Sequence, residues 1–278
     1  MEHETVIRLG AFVSVFAIMA VFESLLPRRA RVMRRSIRWF GNLSLATLNA
    51  VLVPLMMPLV ALGMASLAQE RGWGLLNLVE VPYWVAFIGS VVVLDFVIYL
   101  QHVMFHAVPV LWRLHRVHHS DVELDVSSGV RFHVIEILIS MGIKIAAIMV
   151  IGPPVLAVLT FEVVLNATAM FNHANVRIPL GVDRVLRLFL VTPDMHRVHH
   201  SVVRSETDSN FGFNLPWWDY LCGTYRGQPA AGHEGMTIGV PEFREERDSY
   251  PHRLLAQPFT SSTHAVTARA EEESRPNG

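Results

Sequence analysis

From Trp39 to Leu67 the chain carries no charged side chain. Four further blocks are nearly as apolar: Val6–Leu26, with Arg8 near its start and Glu23 near its end; Pro82–Leu100, with Asp95; Val134–Ile151, with Glu136 and Lys144; and Val155–Phe171, with Glu162. Each is near the roughly 20 residues that an α-helix needs to cross the hydrocarbon core of a bilayer, the last two at the short end. One such block suits a buried helix in a soluble core, but five in a chain of 278 residues argue against a soluble domain. Composition agrees, with 52% hydrophobic residues, 17% charged and a mean hydropathy of +0.37. In lipid the backbone must satisfy its own polar groups, as helix or closed barrel, and long apolar runs are the helical pattern. The expected fold is an all-α integral membrane protein, with about four transmembrane helices, or a pair of spans plus hairpins, and a helical, histidine-rich cap.

The charges that remain orient the blocks. Arg28, Arg29, Arg31, Arg34, Arg35 and Arg38 fill the loop between the first two, which the positive-inside rule makes cytoplasmic. The loop Gln69–Val81 has no positive excess and can face outward. Block three then ends on the cytoplasmic side at His102. Blocks four and five, joined by the helix-breaking Gly152-Pro153-Pro154, form a hairpin that returns the chain to that side before His173. Val6–Leu26 lacks a basic start and a small-residue cleavage pattern, so it reads as a retained helix. The net charge of −1 offers no basic surface for nucleic acid. Cys222, the single cysteine, excludes a disulfide or a cysteine-held cluster within the chain. Three regions follow: N-terminal transmembrane helices at 1–80, a histidine-rich domain at 81–228, and a polar tail at 229–278, largely disordered after 255.

Against this apolar background stands His115-Arg116-Val117-His118-His119-Ser120, repeated as His196-Arg197-Val198-His199-His200-Ser201. His102-Val103-Met104-Phe105-His106 lies just upstream. Helical positions i, i+3 and i+4 share a face, so each triplet and the His102/His106 pair would present imidazoles together. Clustered neutral imidazoles are metal ligands first, and eight exceed what one tetrahedral ion takes, so two ions fit better. The bland alternative is a set of polar helix faces with titrating histidines. His173, at the membrane edge after the hairpin, suits a ninth ligand. His133, opening block four, suits either a ligand or a bond to Glu136. His3, His233, His252 and His264 stand alone in polar contexts and read as exposed bystanders. Asp95, two helical turns before His102, is expected to orient that imidazole, since a carboxylate inside an apolar helix is costly unless paired. Asp121, Asp194 and Asp208 flank the triplets and are candidates for the same role. Trp217-Trp218 and the aromatics after them suit a membrane interface, where they could line a lipid entry groove.

Taken together, the histidine boxes around membrane spans resemble the fatty acid hydroxylase superfamily, which includes sterol desaturases. The resemblance rests on Asp95, Leu111–Ser120, Arg131-Phe132-His133, Thr192–Ser201 and Asp208–Gly212, and it covers about Asp95–Tyr225. It implies a non-haem di-iron centre that uses O2 to hydroxylate or desaturate a lipid at a bacterial inner membrane. The eight motif histidines, His173 and, as a tenth, His133 would be the ligands. The same box serves sterols, fatty acyl chains, alkylglycerols and carotenoids, so the substrate stays open. Some members carry a further histidine pair where this chain has His173 alone. Electrons would come from a separate ferredoxin, cytochrome or reductase, because the chain has no Gly-rich dinucleotide fingerprint. The competing readings are a histidine-rich metal transporter and a metal-holding scaffold.

Overall fold

The computed structural model describes residues 2–57 and 59–260. The helices are α1 (Glu2–Leu25), α2 (Arg35–Met56), α3 (Ala61–Arg71), α4 (Leu75–Leu78), α5 (Tyr83–Ala107), α6 (Pro109–His119), α7 (Val134–Ile151), α8 (Val155–His173), α9 (Leu180–Leu186), α10 (Pro193–His199), α11 (Arg204–Thr207), α12 (Trp217–Leu221), α13 (Gly232–Gly235) and α14 (Pro251–Ala256). Among the described residues there is no strand; two isolated bridges join Pro27 to Val176 and Ser201 to Ile238. Five stretches are long and apolar enough to cross a membrane: Glu4–Leu25, Arg35–Leu78, Tyr83–Ala107, Val134–Ile151 and Val155–His173. They are the five apolar blocks of the sequence, and the protein is all-α.

The second block is not one continuous helix. Pro54 lies inside the last turn of α2, which ends at Met56, and the chain resumes as α3 at Ala61. The small residues Ala61 and Ala65 let α3 pack closely against α7 and α8, in a core shared with Leu94 and Ile98 of α5 and Phe161 of α8. The hairpin turn follows from its residues. Gly152 ends α7 in the left-handed conformation (φ 66°), and the proline pair then starts α8.

Several charged side chains within or beside the apolar helices are paired. Glu162 of α8 accepts from Lys144 of α7 at 2.7 Å and from Arg8 of α1, tying three helices together. Glu23, near the end of α1, accepts from the backbone N–H groups of Val126 (2.6 Å) and Asn175 (3.0 Å) and from Arg35 (2.9 Å). Arg38 of α2 is buried between Asp121 and Asp125, at 2.7 Å from each.

The arginine loop between α1 and α2 grips the cap. Arg28 pairs with Asp194 and Glu234, and Arg34 with Glu246. The end of α1, the starts of α2 and α7 and the ends of α5 and α8 therefore meet the cap on one side of the helix bundle. The polar tail begins later than composition suggests. Leu254 of α14 is fully buried, packed with Leu45 of α2 and Val117 of α6, and Gln257 bonds Ser120 at 2.9 Å. Residues 256–260 are thus part of the cap, because backbone carbonyls of Gln257, Pro258 and Thr260 take up Arg113 and Arg116. The rest of the tail, with His264, lies outside the described residues.

Candidate metal centre

Nine histidines converge where the ends of α5 and α8 meet α6 and α10. His102, His106, His115, His119 and His199 form one group, and His118, His173, His196 and His200 a second; within each, the facing nitrogens all lie within 4.8 Å of one another. The rings of His119 and His200 lie 4.4 Å apart, so the groups are adjacent. Every one of the nine is buried, at 3% exposure or less.

The two repeats divide their histidines between the groups in a crossed manner. His115 and His119 face the first group and His118 the second; His196 and His200 face the second and His199 the first. At 100° per residue, positions i and i+4 lie 40° apart, whereas i+3 lies 60° from i and 100° from i+4, enough to address a neighbouring centre. His102 and His106, four residues apart on α5, complete the first group, and His173 at the end of α8 completes the second.

Hydrogen bonds at the far side of the rings fix which nitrogen faces inward. The Nδ1–H of His102 donates to Phe211 O (2.7 Å), of His118 to Arg131 O (3.2 Å), of His173 to Ala169 O (2.6 Å) and of His199 to Ser209 O (2.7 Å). His115 donates to Glu136 (2.6 Å) and His106 to Asp208 (3.3 Å). These six rings therefore carry the proton on Nδ1 and turn an Nε2 lone pair inward. Nε2 atoms of His102 and His115 then face each other at 3.1 Å, and those of His118 and His173 at 3.0 Å, with no proton between them. Two lone pairs at that distance repel unless a cation lies between them. The spacing is that of neighbouring ligands on one ion: with metal–nitrogen bonds of about 2.1 Å, the edge of a six-coordinate site is about 3.0 Å. Buried Nε2 of His199 has no hydrogen-bond partner among the described residues, as a ligand atom would not. The donor set fits two metal ions.

Burial and the neighbouring imidazoles push His118, His119, His196 and His200 well below the ordinary histidine range, and burial takes His199 down to about 3. All five are neutral at physiological pH, the state in which imidazole binds metal.

The remaining sequence candidates divide. His133 joins neither group. It caps α7, accepting from Ile135 N at 3.2 Å, while its Nε2 meets Leu255 O at 3.3 Å. Glu136 bonds His115 and not His133. Asp208 accepts from His106 Nδ1 at 3.3 Å. Asp95 does not reach His102. It accepts from Trp218 Nε1 (2.8 Å) and Leu215 N (3.2 Å), so it anchors the aromatic segment, and Phe211 O orients His102 instead. Trp218 is accordingly an anchor, while Trp217 is 40% exposed. Asp121 is bound by Arg38, Asn42 and Ser128. Burial alone would raise it, but Arg38 and Arg131 hold its carboxyl well below the usual carboxylate range. Asp194 pairs with Arg28 and Arg197. His233 lies beside Asp194 at 3.7 Å, only 5% exposed, so it is no surface bystander; His252 is exposed. Four of the six ring partners are backbone carbonyls, which no side-chain pattern announces.

Residues 87–224 match the model of the family described as Fatty acid hydroxylase, a stretch that contains all nine histidines. The chain is 29% identical over 227 residues to the ornithine lipid hydroxylase OlsE of Rhizobium tropici, covering 78% of this chain and 66% of that protein. It is 31% identical to the alkylglycerol monooxygenase of Homo sapiens (61% of this chain, 36% of that one) and 28% identical to that of Xenopus tropicalis (66% and 40%). The chain thus spans just under two thirds of the first of these relatives and two fifths or less of the others. No solved structure gives a significant match.

Proposed function

The chain belongs to the fatty acid hydroxylase superfamily, and on that premise we propose that it is a membrane-bound, non-haem di-iron oxidoreductase that uses O2 to hydroxylate or desaturate a lipid. The observation that carries this reading is the pair of adjacent, buried histidine groups, six of whose nine rings are held with an Nε2 lone pair turned inward. Two irons held there would supply O2 activation and the oxidising power to attack an unactivated C–H bond.

The protein's part is to bind, orient and enclose. His102, His106, His115, His119 and His199 would hold one ion, and His118, His173, His196 and His200 the other. Carbonyls of Phe211, Arg131, Ala169 and Ser209 lock the rings in place. Glu136 and Asp208 add negative charge behind His115 and His106, which strengthens those ligands as donors. Burial excludes bulk water from a site that would handle reactive oxygen. The crossed sharing of the two repeats sets the groups side by side, so that two ions held there would be neighbours.

The substrate reaches the site from the bilayer, since the ligands stand at the ends of α5 and α8, both apolar enough to span it. The arginine-rich loop lies on the same side as the histidines, which supports a cytoplasmic metal site at an inner membrane. Electrons come from a separate ferredoxin, cytochrome or reductase. A metal transporter would hold its ligands near the middle of the bilayer; these histidines gather at helix ends.

The test is turnover. Iron-loaded protein, given an electron donor and a membrane lipid extract under ¹⁸O2, should yield a lipid carrying ¹⁸O or a new double bond. Replacing His118 or His199 with alanine should abolish that product. Metal transport in liposomes with no lipid oxidation would overturn the proposal.

A further inference from the structure

A cavity of about 650 Å³ opens beside the first histidine group, lined by α6 residues Trp112, Arg113 and Arg116 and, across it, by Arg204, Thr207 and Glu242. Trp112 joins the two. It lines the cavity, and its ring lies 4.8 Å from that of His106 and 5.1 Å from that of His119. Because α6 starts two residues after α5 ends, this part of the cap sits where a span leaves the bilayer. A tryptophan there is at home in the interfacial layer.

The walls are cationic: three arginines face one carboxylate, Glu242. Arg204 is partly committed, with its Nε held by Asp208 and its guanidinium 5.6 Å over the Trp112 ring. Arg113 uses its Nε on Pro258 O (2.8 Å) and is otherwise exposed. Arg116 is 6% exposed and turns one nitrogen to the carbonyls of Gln257 and Thr260, but its buried Nε has no partner among the described residues. A buried guanidinium donor left without an acceptor is costly, and paired oxygens of a carboxylate or phosphate are what a guanidinium fork binds best.

We propose that this cavity seats the anionic headgroup of the lipid substrate, a phosphate or carboxylate held by Arg113 and Arg116. The inference rests on the lipid-oxidising reading above and adds a substrate class to it. The acyl chains stay in the bilayer while the head enters the cap, with Trp112 as the wall between the head and the first histidine group. Arg116 and His119 lie within one turn of the same helix. A lipid anchored in this way is therefore oxidised near its headgroup and not at the far end of its chains.

Binding can be measured apart from turnover. Iron-loaded full-length protein in uncharged detergent, with no electron donor, would be titrated with dihexanoyl phosphatidic acid, with dihexanoylglycerol, and with inorganic phosphate. Phosphatidic acid should bind at least about tenfold more tightly than the uncharged glycerolipid, and Arg113→Gln should remove most of that preference. Arg116→Gln should do the same; because Arg116 also bonds the cap backbone, Arg113, which is exposed, keeps the test valid if the Arg116 variant fails to fold. Equal binding of the two lipids overturns the proposal. So does phosphate binding as tight as that of phosphatidic acid, which would mark a site for a free anion. Both results stand whether or not the protein oxidises any lipid, so failure here and failure of the enzymatic reading are distinguishable.

Discussion

His118 and His199 occupy the same place in their repeats, and each faces away from the other two histidines of its own triplet. The i, i+3, i+4 spacing was enough to group all eight motif histidines, and the structure gathers them. The spacing did not show that each triplet is split between two centres, because that depends on how α6 and α10 are set against each other. His173, at a helix end, lies with the second group, whereas His133 in a similar place is a helix cap. His133→Ala should therefore keep the full metal content of the protein, and His173→Ala should lose metal from the second group, as measured by elemental analysis. Glu136 went unassigned as a partner of His115 because the two are joined by tertiary packing and not by sequence distance. Glu136→Ala should weaken metal binding about 10- to 100-fold, read by competition with a chelator, with Glu136→Gln milder because it retains an acceptor.

At the scale of elements, the apolar blocks were read correctly as helices, and their residual charges carry information that hydropathy discards. Glu162, Lys144 and Arg8 come from three different blocks, and no local rule pairs them; packing of α1, α7 and α8 does. Glu162→Leu leaves two cations without their shared partner in an apolar setting. It should destabilise the helix bundle by roughly 3–5 kcal/mol in detergent unfolding, and the double variant with Lys144→Met should lose less. An equal or larger loss in the double variant would show that the pair is not coupled. The arginine loop likewise does more than report sidedness. Its side chains end on Asp194, Glu234 and Glu246 of the cap, of which the last two lie in the stretch read from composition as a polar tail.

The whole molecule is a helical slab capped by a cage of neutral imidazoles, and pH acts on it through them. Burial holds His118, His119, His196, His199 and His200 below their ordinary value of 6.5, and His233 down to about 4. Between those values and 6.5 the unfolded chain binds protons that the folded chain refuses, so stability rises with pH across that window. Metal-stripped protein should be fully stable above about pH 6.5 and should lose thermal stability as pH falls to about 5. A melting temperature that is flat over this range would contradict the buried cage. The most direct test of the cage itself is iron stoichiometry, measured on protein purified under reducing conditions. The wild type should hold two irons per chain, with His199→Ala and His173→Ala each losing metal from a different group. One metal per chain in the wild type, or unchanged content in both variants, would contradict the two-centre account.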